Sequence, residues 1–571
     1  MMRLYWPTLL LSILPHTSNS EAGICHVQST PPMVAPQTLV NGKWTVGEAL
    51  PSDMEVQDVF GCCIPVDEQS CGMKPAVIGK MPQFTTTDTL DVLENAKTAW
   101  NGGMGDWPKM GLKNRINAIE TLLEELMHKR SEIVEILMWE IGKNQPDAES
   151  EFDRTISFAR QLIQVIQTHP EFGAAKWTSL GSTRTFIKRA AVGIILCLGP
   201  YNYPLNETYA TLLPALLMGN VVILKIPTVG GLVHLLTMEA FQKALPPGVI
   251  NFVAGRGRST MPPMMQSGVI DGLAFIGGSN AADSLIKDHP RPHRLKVFLQ
   301  LEAKNMAIYL EDLFTQENRK ALDNAIKETV LGSLSFNGQR CTALKQIFVP
   351  REHSAIVASM IVQEVEALRV GLPWQTFQGD KYSQITPLPD QSRVTYMQQL
   401  IEDALLKGAK IMNTNGGEII GGAQSTLMVP AVLYPVTPEM RVYHEEQFGP
   451  VVPIAEYDTL DQILAYAREG KYAQQCSIFT AGGSNYDAQR ALDSLVNIFG
   501  KVNINSQCGR SPDTVPFSGR RSSAMGVMSV LDALKEFSIP TVVSYKDSDD
   551  SLSQKIVEDL EQTSQFLQPV L

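Results

Sequence analysis

The chain has 571 residues, 44% of them hydrophobic and 19% charged, with a formal net charge of −11. That length exceeds what one hydrophobic core normally serves, so two or more domains are expected, and the composition excludes a disordered chain. The acidic balance argues against nucleic acid or an anionic membrane as partner. Eight cysteines are too sparse for a disulfide scaffold. Cys62, Cys63 and Cys71 have no paired CxxC nearby, and the nine histidines show no HExxH, so no metal is expected.

Residues 1–22 have the texture of a leader. Arg3 precedes an apolar stretch that Pro7 and Pro15 interrupt, and Ser18-Asn19-Ser20 offers small residues for cleavage. Against export stands the sequon Asn206-Glu207-Thr208, which falls within the expected site. A cytoplasmic protein with no membrane association once mature is therefore expected, with an organellar or secretory route left open by the leader.

From Asp88 the pattern turns helical. Leu90, Val92, Leu93 and Ala96 repeat at three and four residues, then Ile116, Ile119, Leu122, Leu123 and Leu126, then Ile133, Ile136, Leu137 and Ile141. Gly142 closes that run as a cap. A further helix is expected over 147–167, with Arg154 near its polar side.

After Ala190, short continuous apolar runs appear at 192–198, 221–225, 249–254, 273–276 and 297–301, with helical stretches between them. Continuous runs suggest parallel strands buried on both faces. Strand, helix, strand repeated predicts an α/β doubly wound sheet, with ligands at the carboxyl ends of the strands. The texture recurs at 347–349, 451–455, 477–480 and 502–505, which predicts a second α/β domain. The β-prone segment 541–545 is expected to add to a neighbouring subunit's sheet edge.

A candidate nucleophile lies in that second half. The helical run 321–334 ends in Phe336-Asn337-Gly338, a chain-reversal signal. The turn sets down Arg340 beside Cys341. A cation next to a thiol lowers its pKa and raises its thiolate fraction, so Arg340 is expected to activate Cys341.

Five stretches flank this site in order: Gly199-Pro-Tyr-Asn-Tyr-Pro204 running on to Lys225-Ile-Pro-Thr228; Phe275-Ile-Gly-Gly-Ser279; Leu301-Glu-Ala-Lys-Asn305; Gly338-Gln-Arg-Cys341; and Glu445-Glu-Gln-Phe-Gly-Pro450. In this order and at these separations they resemble the aldehyde dehydrogenase superfamily. The resemblance implies two doubly wound α/β domains plus a small β oligomerisation element. A dinucleotide-binding domain is expected over 40–303, with a β excursion near 172–190. A catalytic thiol domain is expected over 304–513. Residues 514–571 would return to the cofactor domain and add an oligomerisation strand and a polar tail, in a homodimer or homotetramer.

Three details are similar to one branch, the non-phosphorylating glyceraldehyde-3-phosphate dehydrogenases. Arg340 directly precedes the cysteine, Tyr203 follows Asn202, and Arg510 precedes Pro512-Asp-Thr-Val-Pro-Phe517. With Arg154, they imply a substrate-phosphate clamp for a small phosphorylated aldehyde. An arginine fork suits a phosphate, although pairing with a carboxylate is its other common use.

The resemblance makes Cys341 the nucleophile and Asn202 an oxyanion donor, and places Gly277, Glu446 and Phe448 at the cofactor. The family's lysine at Lys225 lies beside the adenine ribose, and NAD-preferring members often carry a glutamate three residues later. Here that position is Thr228, which does not repel a 2′-phosphate, so NADP is implied. The usual general base falls on Gln300, which cannot take a proton. Glu302, two residues on, is expected to replace it by facing the same side of a strand. Two other functions remain at this point: oxidation of another small or anionic aldehyde with NADP, and a catalytically silent binding or structural protein.

Overall fold

A computed structural model describes residues 30–65, 72–379, 381–482, 486–546 and 551–570. The leader segment 1–22 and Cys71 lie outside the described residues.

The continuous apolar runs form a six-stranded sheet. Its order is Ala524–Met525, Lys296–Gln300, Gly272–Ile276, Ile194–Leu198, Val221–Lys225 and Ile250–Val253. Every pairing is parallel except that of the short edge strand Ala524–Met525. Val221–Lys225 is buried along its whole length, with the helices Thr86–Trp100 and Asn206–Leu217 packed on it. This burial explains the absence of alternation in its sequence. In chain order the main strands run five, four, one, two, three. The winding reverses between Gly272–Ile276 and Ile194–Leu198, which opens a crevice at their carboxyl ends.

The second half builds a seven-stranded sheet around Asn305–Tyr309 and Leu344–Pro350. Asn305–Tyr309 begins five residues after Gln300, so the chain steps directly from one sheet into the other. That step faces the crevice.

A third, antiparallel sheet joins Trp177–Leu180, Thr183–Ala191 and Ser538–Lys546. Within it, 541–545 pairs with Thr183–Ala191 of its own chain, and Ser538–Lys546 stands at the edge of the sheet. The last helix, Ser551–Thr563, leads into a tail that returns to this sheet. There Lys188 Nζ donates to the carbonyls of Phe566 (2.8 Å) and Gln568 (3.0 Å). The sequence reading also passed over a hairpin of Val56–Pro65 with Met73–Pro82. Among the described residues, no helix is long and apolar enough to cross a membrane.

Candidate active site

The helix Arg319–Leu334 ends in a tight turn, Ser335–Gly338, where the sequence places Asn-Gly. Three consecutive residues there are left-handed: Phe336 (φ 49°), Asn337 (φ 56°) and Gly338 (φ 71°). A Cβ on Gly338 would lie 2.7 Å from the carbonyl oxygens of Gly449 and Ser333, so glycine is required. For Phe336 the conformation costs about 1–3 kcal/mol and must be held from outside. Asn337 does part of this. Its amide donates to Thr386 O at 3.0 Å, and its Oδ1 accepts from Thr386 N at 2.9 Å.

The turn delivers Cys341 to a cavity of about 600 Å³ in the crevice between the sheets. Asn202, Gly277, Gln300, Glu302, Glu446 and Arg510 are among the residues that line it with Cys341. The thiol is pushed up to about 11, first by burial and next by the negative charge of Glu207, with Lys345 opposing.

The cation beside the nucleophile is therefore not Arg340. Its Nη2 donates to Gly332 O and Gln507 Oε1, both at 3.2 Å. Neighbours in a turn project apart, so sequence adjacency did not become spatial adjacency. Lys345 takes that place from the start of the strand Leu344–Pro350. It is buried, and its ammonium donates to Arg340 O (2.8 Å), Cys341 O (3.1 Å) and Glu446 Oε1 (2.8 Å). Asn305 Nδ2 donates to Cys341 O at 2.8 Å, so the peptide of the nucleophile is gripped from two sides.

Asn202 stands in the loop after Ile194–Leu198. Its Nδ2 donates to Gln339 O at 2.7 Å, two residues from the thiol. Tyr203 lines the same cavity, with the Lys143 ammonium 3.4 Å from its ring centroid. Lys143 forms a buried ion pair with Glu151, whose Oε1 also accepts from the amides of Leu205 and Asn206 at 3.0 and 3.1 Å. This buried pair fixes the loop that carries Asn202 and Tyr203.

Glu302 departs from the expectation in one respect. The strand Lys296–Gln300 stops at Gln300, so strand alternation does not extend to it. Its Oε2 instead accepts from Ser279 N at 2.9 Å, at the start of the helix Ser279–Asp288. Gln300 lines the cavity at 3% exposure, and among the described residues neither polar atom of its side-chain amide has a hydrogen-bond partner.

Of the expected cofactor residues, Gly277, Glu446 and Phe448 line the cavity. Lys225 and Thr228 do not. Lys225 ends the neighbouring strand, where burial pulls its ammonium down to about 8, and Thr228 follows it, exposed.

The four phosphate-clamp residues converge on the cavity, but two arginines already hold carboxylates. Arg154 is bidentate on Asp513, at 2.7 and 2.9 Å. Arg510 lies 2.6 Å from Glu207 and 3.4 Å from Asp513. Among the described residues, the hydrogen-bond partners of the Arg340 side chain are neutral, and buried Arg340 Nε and Arg510 Nη2 have no hydrogen-bond acceptor. Lys501, unnoticed in the sequence, adds a cation whose Nζ donates to Gly509 O at 3.0 Å. Glu207 was also passed over, although it lies inside a motif already singled out; its pairing is visible only once Arg510 arrives from 303 residues away. Among the described residues, no cluster of His, Cys, Asp and Glu could hold a metal ion.

Residues 68–543 match the model of the aldehyde dehydrogenase family. The chain is 30% identical over 462 residues to an NADP-dependent glyceraldehyde-3-phosphate dehydrogenase of Streptococcus equinus, covering 79% of this chain and 90% of the relative. A protein of the same name from Pisum sativum is 28% identical over 80% of this chain and 87% of its own. Among solved structures, the Bacillus halodurans NADP-dependent glyceraldehyde-3-phosphate dehydrogenase complexed with NADP superposes with a TM-score of 0.76 at 28% identity. That match covers 91% of this chain and all of the other.

Proposed function

Because the chain belongs to the aldehyde dehydrogenase family of oxidoreductases, we propose that it oxidises glyceraldehyde 3-phosphate to 3-phosphoglycerate with NADP, without inorganic phosphate. The observation that carries the substrate is the pair of orphaned donors. Among the described residues, Arg340 Nε and Arg510 Nη2 are buried without an acceptor, on side chains that line the cavity. Leaving such groups unpaired costs about 1–3 kcal/mol each, and a phosphate oxygen would repay it. Lys501 adds charge on the same wall. Arg154, bound by Asp513, supports the wall instead of reaching a ligand.

The residues present fit NADP. Lys225 is a cation at the carboxyl end of its strand, Thr228 is neutral and exposed, and Gly277, Glu446 and Phe448 border the cavity. These five would hold the dinucleotide, which supplies a hydride acceptor when bound. Cys341 attacks the aldehyde carbon. The Asn202 amide and the Cys341 backbone N–H hold the oxyanion, one such donor being worth about 3–4 kcal/mol. Loss of hydride leaves a thioester on Cys341, which water then hydrolyses.

The test is NADPH absorbance with glyceraldehyde 3-phosphate in buffer free of phosphate and arsenate. Turnover is expected there, with unphosphorylated glyceraldehyde poorer by about 100-fold in kcat/KM from two lost charged hydrogen bonds. Arg340→Ala should narrow that gap, chiefly by raising KM for the phosphorylated substrate. Equal efficiency on the two aldehydes in the unaltered enzyme would remove the clamp.

A further inference from the structure

We propose that Glu207 is the general base that activates the water releasing product from Cys341; this rests on the thioester route above. In that step a water oxygen bonds the acyl carbon and the carbon–sulfur bond breaks. One water proton passes to a carboxylate and Cys341 leaves as thiolate. Gln300 holds the position where a base is expected, yet a carboxamide can only orient a water, accepting from it and donating to it. Its two unpartnered polar atoms, buried at the cavity, suit that holding role.

Three carboxylates line the cavity. Glu446 is occupied: its Oε1 accepts from Ala303 N at 2.9 Å and from Lys345 at 2.8 Å. Glu302 has an oxygen committed to Ser279 N. Glu207 is likewise held by one oxygen, and differs from both in its place. It stands on the first turn of the helix Asn206–Leu217, five residues after the Asn202 amide, with its side chain 16% exposed. Arg510 holds only Oε2, at 2.6 Å, and among the described residues Oε1 has no hydrogen-bond donor. After burial, its charge acts on the Cys341 thiol more strongly than any other group's. The arginine that faces the substrate phosphate therefore also aims the base, which couples substrate binding to product release.

The experiment follows acylation and deacylation separately, with 4-nitrophenyl acetate and with glyceraldehyde 3-phosphate plus NADP. Glu207→Gln is expected to keep the first-turnover burst of one product per Cys341. Its steady-state rate should fall by about 100- to 10,000-fold, the usual worth of a general base. Intact mass should then show the acyl group retained on Cys341, and Glu207→Asp should recover part of the rate. Deacylation in Glu207→Gln should rise with hydroxide concentration across neutral pH, unlike the parent enzyme. Unchanged steady-state turnover in a folded Glu207→Gln protein overturns the assignment. So does loss of its burst, or acyl-enzyme accumulating in Glu302→Gln instead. The ester arm needs no particular aldehyde. An enzyme that hydrolyses the ester but ignores glyceraldehyde 3-phosphate refutes the substrate reading, and the ester rates still judge Glu207.

Discussion

Replacing Cys341 with serine should lower NADPH formation by about 10,000-fold or more, the largest effect expected of any single change. Sulfur is the atom that must bond the aldehyde carbon, and a serine hydroxyl ionises far less readily than a thiol and is a much weaker nucleophile. The substitution changes one atom, so melting temperature and NADP affinity should stay close to those of the parent. The thiol has its own signature. Burial and Glu207 push it up to about 11, against the usual 9.0. In the cofactor-free enzyme, alkylation of Cys341 by iodoacetamide should therefore climb about tenfold per pH unit from neutrality towards pH 11. A plateau below pH 8 would show that the surroundings described here do not govern this thiol. Unaltered activity in the serine variant would remove Cys341 as nucleophile.

The second large effect belongs to Asn202. Its Nδ2 is anchored on Gln339 O at 2.7 Å, which leaves the second amide hydrogen to the cavity. The loop that carries it is fixed by the buried Lys143–Glu151 pair, so the donor is aimed before any substrate arrives. A donor that strengthens only as the oxyanion forms acts on kcat more than on KM. Asn202→Ala should reduce kcat by about 100- to 1,000-fold with KM little changed. Steady-state kinetics with saturating NADP would measure this. A loss confined to KM would mean the amide binds substrate rather than stabilising the oxyanion.

Much of the sheet architecture was legible because burial leaves a mark on composition. The runs at 221–225 and 273–276 have no polar alternation, and both became inner strands. The strand Asn305–Tyr309 is harder to see, because its first residue is also the last of the motif Leu301–Asn305. Local geometry was also readable: Gly142 is left-handed at φ 73°, as a cap requires, and Asn337-Gly338 turns the chain. Charge pairing was not legible. Arg154 with Asp513, and Arg510 with Glu207, are separated by 359 and 303 residues. Nothing local in the sequence says which of two fates an arginine meets. The same limit explains why Arg340 was assigned the thiol when Lys345 holds its peptide. Strand alternation failed at Glu302 because it presumes that the strand continues, and this one ends at Gln300.

The left-handed run Phe336-Asn337-Gly338 stores local stress next to the nucleophile, restrained in part by the hydrogen bonds exchanged between Asn337 and Thr386. Such a spring should let go before the sheets melt. On slow heating, catalytic inactivation is expected to begin below the calorimetric transition, and it should reverse on cooling. Coincident curves would mean that this corner fails only when the entire molecule does.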